Sequence, residues 1–255
     1  MTIEDILMDQ LGLHELIQKG FLLMQDKEWG EANELWAEVR TKFPERAEGY
    51  IQGGVVYREL GCIDEALLLF NESIKQHPHS AENIIEKAWT LMQGKQWEEA
   101  SSLWSEVRIK YPERAEGYTL GGVAYRELGR IDEALSLFDE SIQQHPHSAE
   151  NIIEKAWTLM QEKQWEEASA LCSEIRVKYP ERAEGYTLGG RVYRELGRID
   201  EALSLFDESI QQHPHSAENI IEKAWTLMQR KQWEEASSLW SEVRIKYPER
   251  AEGYT

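Results

Sequence analysis

Three sets of residues in this chain have types that could do chemistry, and each set occurs in copies. His-Pro-His recurs at His77-Pro78-His79, His145-Pro146-His147 and His213-Pro214-His215. Imidazoles are metal ligands, but a pair at i, i+2 across a proline supplies two donors at most. Copies two helix pairs apart would lie roughly 20 Å from one another, so no metal site is expected. Adjacent carboxylates recur at Glu98-Glu99, Glu166-Glu167 and Glu234-Glu235. Such a pair can do general acid–base work, but at the start of a helix it simply favours the positive end of the dipole. Cys62 and Cys172 are too few and too far apart for a disulfide framework. Serines are plentiful, yet there is no Ser/His/Asp set and no strained nucleophile turn. Gly121-Gly122 lies inside a helix-forming run, where glycine permits close packing, and lacks the strand-then-helix setting of a phosphate loop. The sequence shows no catalytic constellation, implies no cofactor and reads as a protein that is not an enzyme.

The elements that carry these residues form an array. AEGYTLGGVAYRELGRIDEALSLFDESIQQHPHS, from Ala115 to Ser148, is followed by AENIIEKAWTLMQEKQWEEASALCSEIRVKYPER, from Ala149 to Arg182. The 68-residue unit returns from Ala183 to Arg250 with differences at seven positions, 123, 124, 162, 170, 172, 175 and 177 in the earlier copy's numbers. It also precedes, from Ala47 to Arg114, with half a unit from Leu13 to Arg46. Each half is 34 residues long. Ala32, Ala66, Ala100, Ala134, Ala168, Ala202 and Ala236 share one register, and Pro44, Pro78, Pro112, Pro146, Pro180, Pro214 and Pro248 share another. A fixed Ala within an apolar-periodic run marks close helix contact. A Pro just after such a run ends the helix, because it lacks an N–H and its ring clashes with the preceding turn. One period is therefore helix, turn, helix, Pro-containing turn.

In the even halves Tyr118, Gly122, Tyr125, Ala134, Phe138 and Pro146 form a large, small, large, small, large and Pro pattern that resembles the tetratricopeptide repeat. The odd halves carry Ile152, Ala156 and Leu159 at corresponding places of the first helix and keep Ala168 and Pro180. The resemblance covers seven repeats, 13–46, 47–80, 81–114, 115–148, 149–182, 183–216 and 217–250. It implies an all-α fold, a right-handed superhelical α-solenoid of stacked antiparallel helix pairs, with first helices on the concave face. The family's basic clamp for a C-terminal carboxylate is not matched, because its Lys and Asn groove pattern is absent. Residues 1–12 read as a short N-terminal capping helix with a Thr2–Asp5 capping box, an Ile3/Ile6/Leu7/Leu11 stripe and a stop at Gly12. Residues 251–255 read as the start of a truncated eighth repeat. The turn between the helices is expected to be carried by Gly61, Gly129 or Gly197 in even repeats and by Gly94, Glu162 or Arg230 in odd ones.

Composition bounds the partners. A formal net charge of −19 over 255 residues disfavours nucleic acid and anionic membrane surfaces, both of which need phosphates neutralised by Lys and Arg. No basic-then-apolar segment opens the sequence and no apolar run approaches the roughly 20 residues that span a bilayer, so a cytoplasmic location is expected.

Near-identical copies test one another. Val55 and Val123 become Arg191 in the third even copy. An unpaired buried Arg would be costly, so this ninth position of the repeat is expected to face solvent in the groove. Odd repeats place Phe21, Trp89, Trp157 and Trp225 there. The fifth and twelfth positions, one helical turn away, hold Ile85 and Met92, Ile153 and Met160, and Ile221 and Met228. Even repeats place Arg126 and Arg194 at the twelfth position. Trp, Met and Arg are enriched at binding hot spots. The expected function is a non-catalytic scaffold holding a peptide or helix of a protein partner in this groove. The alternative is a structural protein that self-assembles into head-to-tail homo-oligomers or filaments through an uncovered C-terminal repeat. Cys172 stands where other odd repeats have Trp36, Trp104 and Trp240, and is expected to be buried and inert.

Overall fold

A computed structural model describes residues 3–251, with side chains at 12–248 and at 250. Within that range the chain is α-helical, without a strand. The helices are α1 (Ile3–Gln25), α2 (Trp29–Lys42), α3 (Ala47–Glu59), α4 (Ile63–Gln76), α5 (Ala81–Gln93), α6 (Trp97–Lys110), α7 (Glu116–Glu127), α8 (Ile131–Gln144), α9 (Ala149–Gln161), α10 (Trp165–Lys178), α11 (Glu184–Glu195), α12 (Ile199–Gln212), α13 (Ala217–Gln229), α14 (Trp233–Lys246) and the single turn α15 (Pro248–Ala251). They gather into two compact units, Met1–Arg130 with α1 to α7 and Ile131–Thr255 with α8 to α15. Inside each unit every helix packs on the next in the chain, giving the expected helix-pair solenoid.

Each second helix ends where the sequence demands. Tyr111, before Pro112, leaves the helical region at φ −134° and ψ 63°, and His77, before Pro78, does the same at φ −129° and ψ 65°. A residue preceding proline is pushed out of the α region by the ring. Glu98-Glu99, Glu166-Glu167 and Glu234-Glu235 occupy first turns, as the dipole argument requires.

The turn inside each repeat lies where the sequence places it, and its left-handed residue differs between even and odd repeats. Gly61, Gly129 and Gly197 do adopt left-handed φ, between 74° and 78°. In odd repeats the left-handed residue is Lys27, Lys95, Lys163 or Lys231, at φ 56–64°. Gly94, Glu162 and Arg230 lie one residue earlier, at φ −74°, −81° and −77°. Gln164 N–H then bonds the Leu159 carbonyl at 2.8 Å and Lys163 N–H the Met160 carbonyl at 3.1 Å. This is the bonding of a left-handed helix stop, with lysine where glycine is usual.

The N-terminus differs too. Helix α1 runs unbroken through Gly12, so the stop expected there is absent and the leading segment is continuous with the first helix of repeat one. Thr2 and residues 252–255 lie outside the described residues, as do the side chains of Ile3, Ile6, Leu7 and Leu11. The capping box, the apolar stripe and the eighth-repeat start fall among them.

Small residues let the two helices of a repeat close up. The register alanines from Ala32 to Ala236 are buried to within 1%. A Cβ added at Gly20 would lie 2.4 Å from Trp36, and one at Gly190 2.4 Å from Phe206. At Trp36, Phe70 and Phe206 the aromatic of the second helix thus takes the space that the missing Cβ of Gly20, Gly54 or Gly190 leaves. Neighbouring repeats are tied by polar groups within an otherwise apolar seam. Ser73 Oγ donates to Asn83 Oδ1 at 2.9 Å, and Asn83 Nδ2 donates to the His77 carbonyl at 3.1 Å. Arg40 and Arg176 donate to the Gly49 and Gly185 carbonyls at 2.9 and 3.0 Å. The fully buried Asn83, Asn151 and Asn219 are polar core residues that hydropathy patterning alone overlooks.

Candidate binding groove

First helices touch first helices: α3 meets α5 in one unit, and α9 meets α11 and α11 meets α13 in the other. No pair of second helices packs as closely among the described residues. In each unit the first helices therefore lie on the inner side of the curve.

The ninth-position aromatics stand out from that face. Phe21 is 47% exposed, Trp89 40% and Trp225 42%. Each rests edge-on against the indole of the second helix of its own repeat. Ring centroids are 5.6 Å apart for Phe21 and Trp36, 6.3 Å for Trp89 and Trp104, and 5.5 Å for Trp225 and Trp240. Two of these indoles are held in turn by the twelfth-position thioethers. Trp104 Nε1 donates to Met92 Sδ at 3.0 Å and Trp240 Nε1 to Met228 Sδ at 3.3 Å. An exposed aromatic braced by a rigid buried one loses little side-chain entropy on contact with a ligand.

Three expected groove residues are core instead. Ile85, Met92 and Ile221 are buried, at 6–8% exposure, and pack toward the core of their repeats. They support the aromatics and cannot touch a ligand. Ile153, Met160 and Met228 are half-buried.

The fifth repeat is built differently. Cys172 removes the indole that would brace Trp157, and Trp157 is half-buried where its copies are exposed. A cleft of about 400 Å³ lies here, walled by Trp157, Met160 and Trp165 and rimmed by Arg191, Arg194 and Glu195. Its walls are apolar and its rim charged, the usual make-up of a side-chain pocket.

The position of Arg191 corrects the solvent-facing expectation. Its side chain is only 20% exposed, with the guanidinium carbon 5.6 Å from the Trp157 ring centroid. Arg191 Nε donates to Glu222 Oε1 at 2.8 Å and Nη2 to Glu218 Oε1 at 2.7 Å. Arg194 Nη1 donates to the other Glu222 oxygen at 2.7 Å. A buried Arg is affordable because it is paired, and Glu222, 8% exposed, is the residue that sequence reasoning missed. Its signal was present: Arg58 and Glu86 form the same pair 28 residues apart, at 2.5 Å. Arg126, with a side chain 9% exposed, is likewise no free groove cation.

Nearby, the loop guanidinium of Arg182 donates to Glu150 at 2.5 Å and to Glu184 at 2.8 Å. These bonds hold both carboxyls below their ordinary range and raise the pKa of Arg182. Burial pushes the Cys172 thiol up to about 12. Among the described residues no cluster of His, Cys, Asp and Glu could hold a metal ion, and no helix is long and apolar enough to cross a membrane.

Family models described as tetratricopeptide repeat match residues 125–191 and 193–255, and residues 85–149. No curated protein sequence matches the chain. Among solved structures, a tetratricopeptide repeat protein from Parabacteroides merdae superposes with a TM-score of 0.73 at 16% identity, over 92% of this chain and 93% of that one. The Pseudomonas aeruginosa protein pilF gives 0.65 at 19% identity, over 83% and 96%. YrrB, described as a repeat protein of this kind with an unusual peptide-binding site, gives 0.52 at 15% identity, over 72% and 95%. At these identities the likeness is one of fold.

Proposed function

Because this chain belongs to the tetratricopeptide repeat family, we propose that it is a non-catalytic scaffold whose first helices hold a peptide or helix of a partner protein. Repeats of this family serve in general as protein-interaction scaffolds. The observation that carries the finer reading is the braced aromatic on the inner face of repeats one, three and seven. Phe21, Trp89 and Trp225 are 40–47% exposed and each is fixed from behind by an indole. Rigid, half-exposed aromatics at regular spacing are what a binding surface needs and what a core does not. The cleft at Trp157 adds one pocket for a large apolar side chain, bounded by Met160, Trp165 and Arg194. Ile153 and Met228 border the face without dominating it. YrrB, with its peptide-binding site, is a precedent for peptide capture on this fold.

The test is selection of peptides from a displayed random library on the intact chain, followed by calorimetry on Trp89→Ala and Trp225→Ala. Each substitution should weaken the selected peptides about tenfold, about 1.4 kcal/mol, with little change in melting temperature. Unchanged affinity in both variants, or a stability loss of about 3–5 kcal/mol as for a buried Trp, would remove the groove assignment.

A further inference from the structure

An offset of four repeats pairs Phe21 with Trp157, Val55 with Arg191, Arg58 with Arg194, Glu82 with Glu218 and Glu86 with Glu222. In the later set the chain supplies its own guanidinium. Arg191 lies over the Trp157 ring and joins Glu218 and Glu222. In the earlier set Val55 has nothing to supply. Arg58 takes Glu86 Oε2, as Arg194 takes Glu222 Oε2. The other oxygen, which Arg191 occupies on Glu222, has no partner on Glu86 among the described residues. The Glu86 side chain is accordingly 28% exposed, against 11% for Glu222. Glu82 is 60% exposed, accepts from Ser80 Oγ at 3.1 Å on one oxygen and meets Arg114 with the other at 3.4 Å, and the Phe21 ring stands 47% exposed.

We propose that Phe21, Glu82 and Glu86 form an acceptor site for an arginine side chain of a basic peptide partner. The ring offers its face to the guanidinium and the two carboxylates take its N–H edges, as Trp157, Glu218 and Glu222 do for Arg191. The planar fork makes arginine the fitting side chain, and lysine, a point charge, a poorer one. A net charge of −19 draws a cationic partner toward the site. That the arginine arrives on a peptide rests on the groove reading, whereas the side-chain site itself rests on the internal copy.

The test titrates N-acetyl-arginine methylamide into the ¹⁵N-labelled intact chain, a probe that needs no groove ligand. Saturable amide shifts should centre on Phe21, Val55 and Glu86. Val55→Arg, which fills the site from within, should weaken them at least tenfold while circular dichroism stays unchanged, and Phe21→Ala should weaken them as well. Arg191→Val should create a second set of shifts around Trp157. N-acetyl-lysine methylamide should bind several-fold more weakly. Shifts that spread over the acidic surface without saturating, that persist in both Val55→Arg and Phe21→Ala, or that lysine reproduces in full would overturn the proposal. Library peptides that bind without arginine and ignore Val55→Arg would also overturn it, while leaving the groove reading intact.

Discussion

The guanidinium carbon of Arg191 lies 5.6 Å from the centre of the Trp157 ring, with the carboxylate of Glu222 2.8 Å from its Nε. This trio spans repeats five, six and seven and sits where two substitutions coincide. Cys172 withdraws the indole beneath Trp157, and Arg191 replaces the valine found at 55 and 123. The cation–π contact and the ion pairs hold Arg191 at the rim of the cleft beside Trp157.

The trio is asymmetric in its energetics. Arg191→Val returns the site to the state of its sister copies and leaves Glu222 paired with Arg194, so it should cost only about 1 kcal/mol. Glu222→Ala strips Arg194 of its close partner and leaves Arg191 with Glu218 alone in a half-buried place, and should cost about 3 kcal/mol. Urea titrations of the two variants check this. Equal losses would mean that Glu222 is not the hub of the network.

The left-handed lysines carry a strain that glycine would remove. Lys163 sits at φ 58° where its sister residue is Gly129, and an L side chain at such φ costs about 1–2 kcal/mol. Lys163→Gly should therefore stabilise the chain by about 0.5–1 kcal/mol, net of the extra entropy of the unfolded glycine. The reverse change, Gly129→Ala, meets no atom within 4 Å and should cost about 1 kcal/mol through backbone strain alone. Thermal melts of both variants decide the matter, and a destabilising Lys163→Gly would contradict it.

The fold was legible because a period of 34 residues admits few structures, and the Pro and Ala registers fixed helix ends and contacts without reference to hydropathy. The turn was placed correctly at Gly94, Glu162 and Arg230, but its left-handed residue, Lys95 as the counterpart of Gly61 and Gly129, was not legible because lysine carries no turn signal. Phe21, Trp89 and Trp225 are exposed as expected, although the Arg191 from which this was argued is itself mostly covered and paired. Ile85, Met92 and Ile221 are not exposed, because one turn along a helix preserves the face only to within its width, and those side chains pack toward the core of their repeats. The Arg–Glu pairs were overlooked because their partners lie 28 residues apart on different repeats, a spacing that helical-face arguments within a repeat do not reach.

Acid should loosen the loop between repeats five and six. Arg182 holds Glu150 and Glu184 below their ordinary range through hydrogen bonds. A lowered carboxyl pKa in the folded chain gives stability that is present above the unfolded value of about 4.3 and is lost as pH falls through the folded value. The stability gap between the parent chain and Arg182→Gln should be constant above about pH 5 and shrink below about pH 4. The carboxylates are roughly half exposed, so the gap is small, and a gap that grows on acidification would reverse the assignment.

Cys172 gives the sharpest test of how the cleft arises. The residue is fully buried and its thiol is pushed up to about 12, so at pH 8 almost none is thiolate. Cys62, part-exposed at the turn before α4, should react with a disulfide reagent in the native chain while Cys172 stays silent until unfolding. The size deficit at this point is a separate matter. Trp104 fills the same place in repeat three, with its N–H on Met92 and its ring against Trp89. The contacts that Cys172 forgoes leave Met160 without an indole donor and Trp157 without a brace. Cys172→Trp should restore both. It should push Trp157 outward toward the exposure of Trp89, close the cleft of about 400 Å³ and stabilise the chain by about 1–3 kcal/mol through added apolar burial. The neighbouring Ile175, where Trp104 has Val107 and Trp240 has Val243, adds a methylene that sets how fully the gain is realised. Pairing Cys172→Trp with Ile175→Val reproduces the repeat-three core, so the double variant should be at least as stable as the single. If both variants melt below the parent chain, the fifth repeat has closed around cysteine, and the cleft owes its existence to Arg191 rather than to the lost indole.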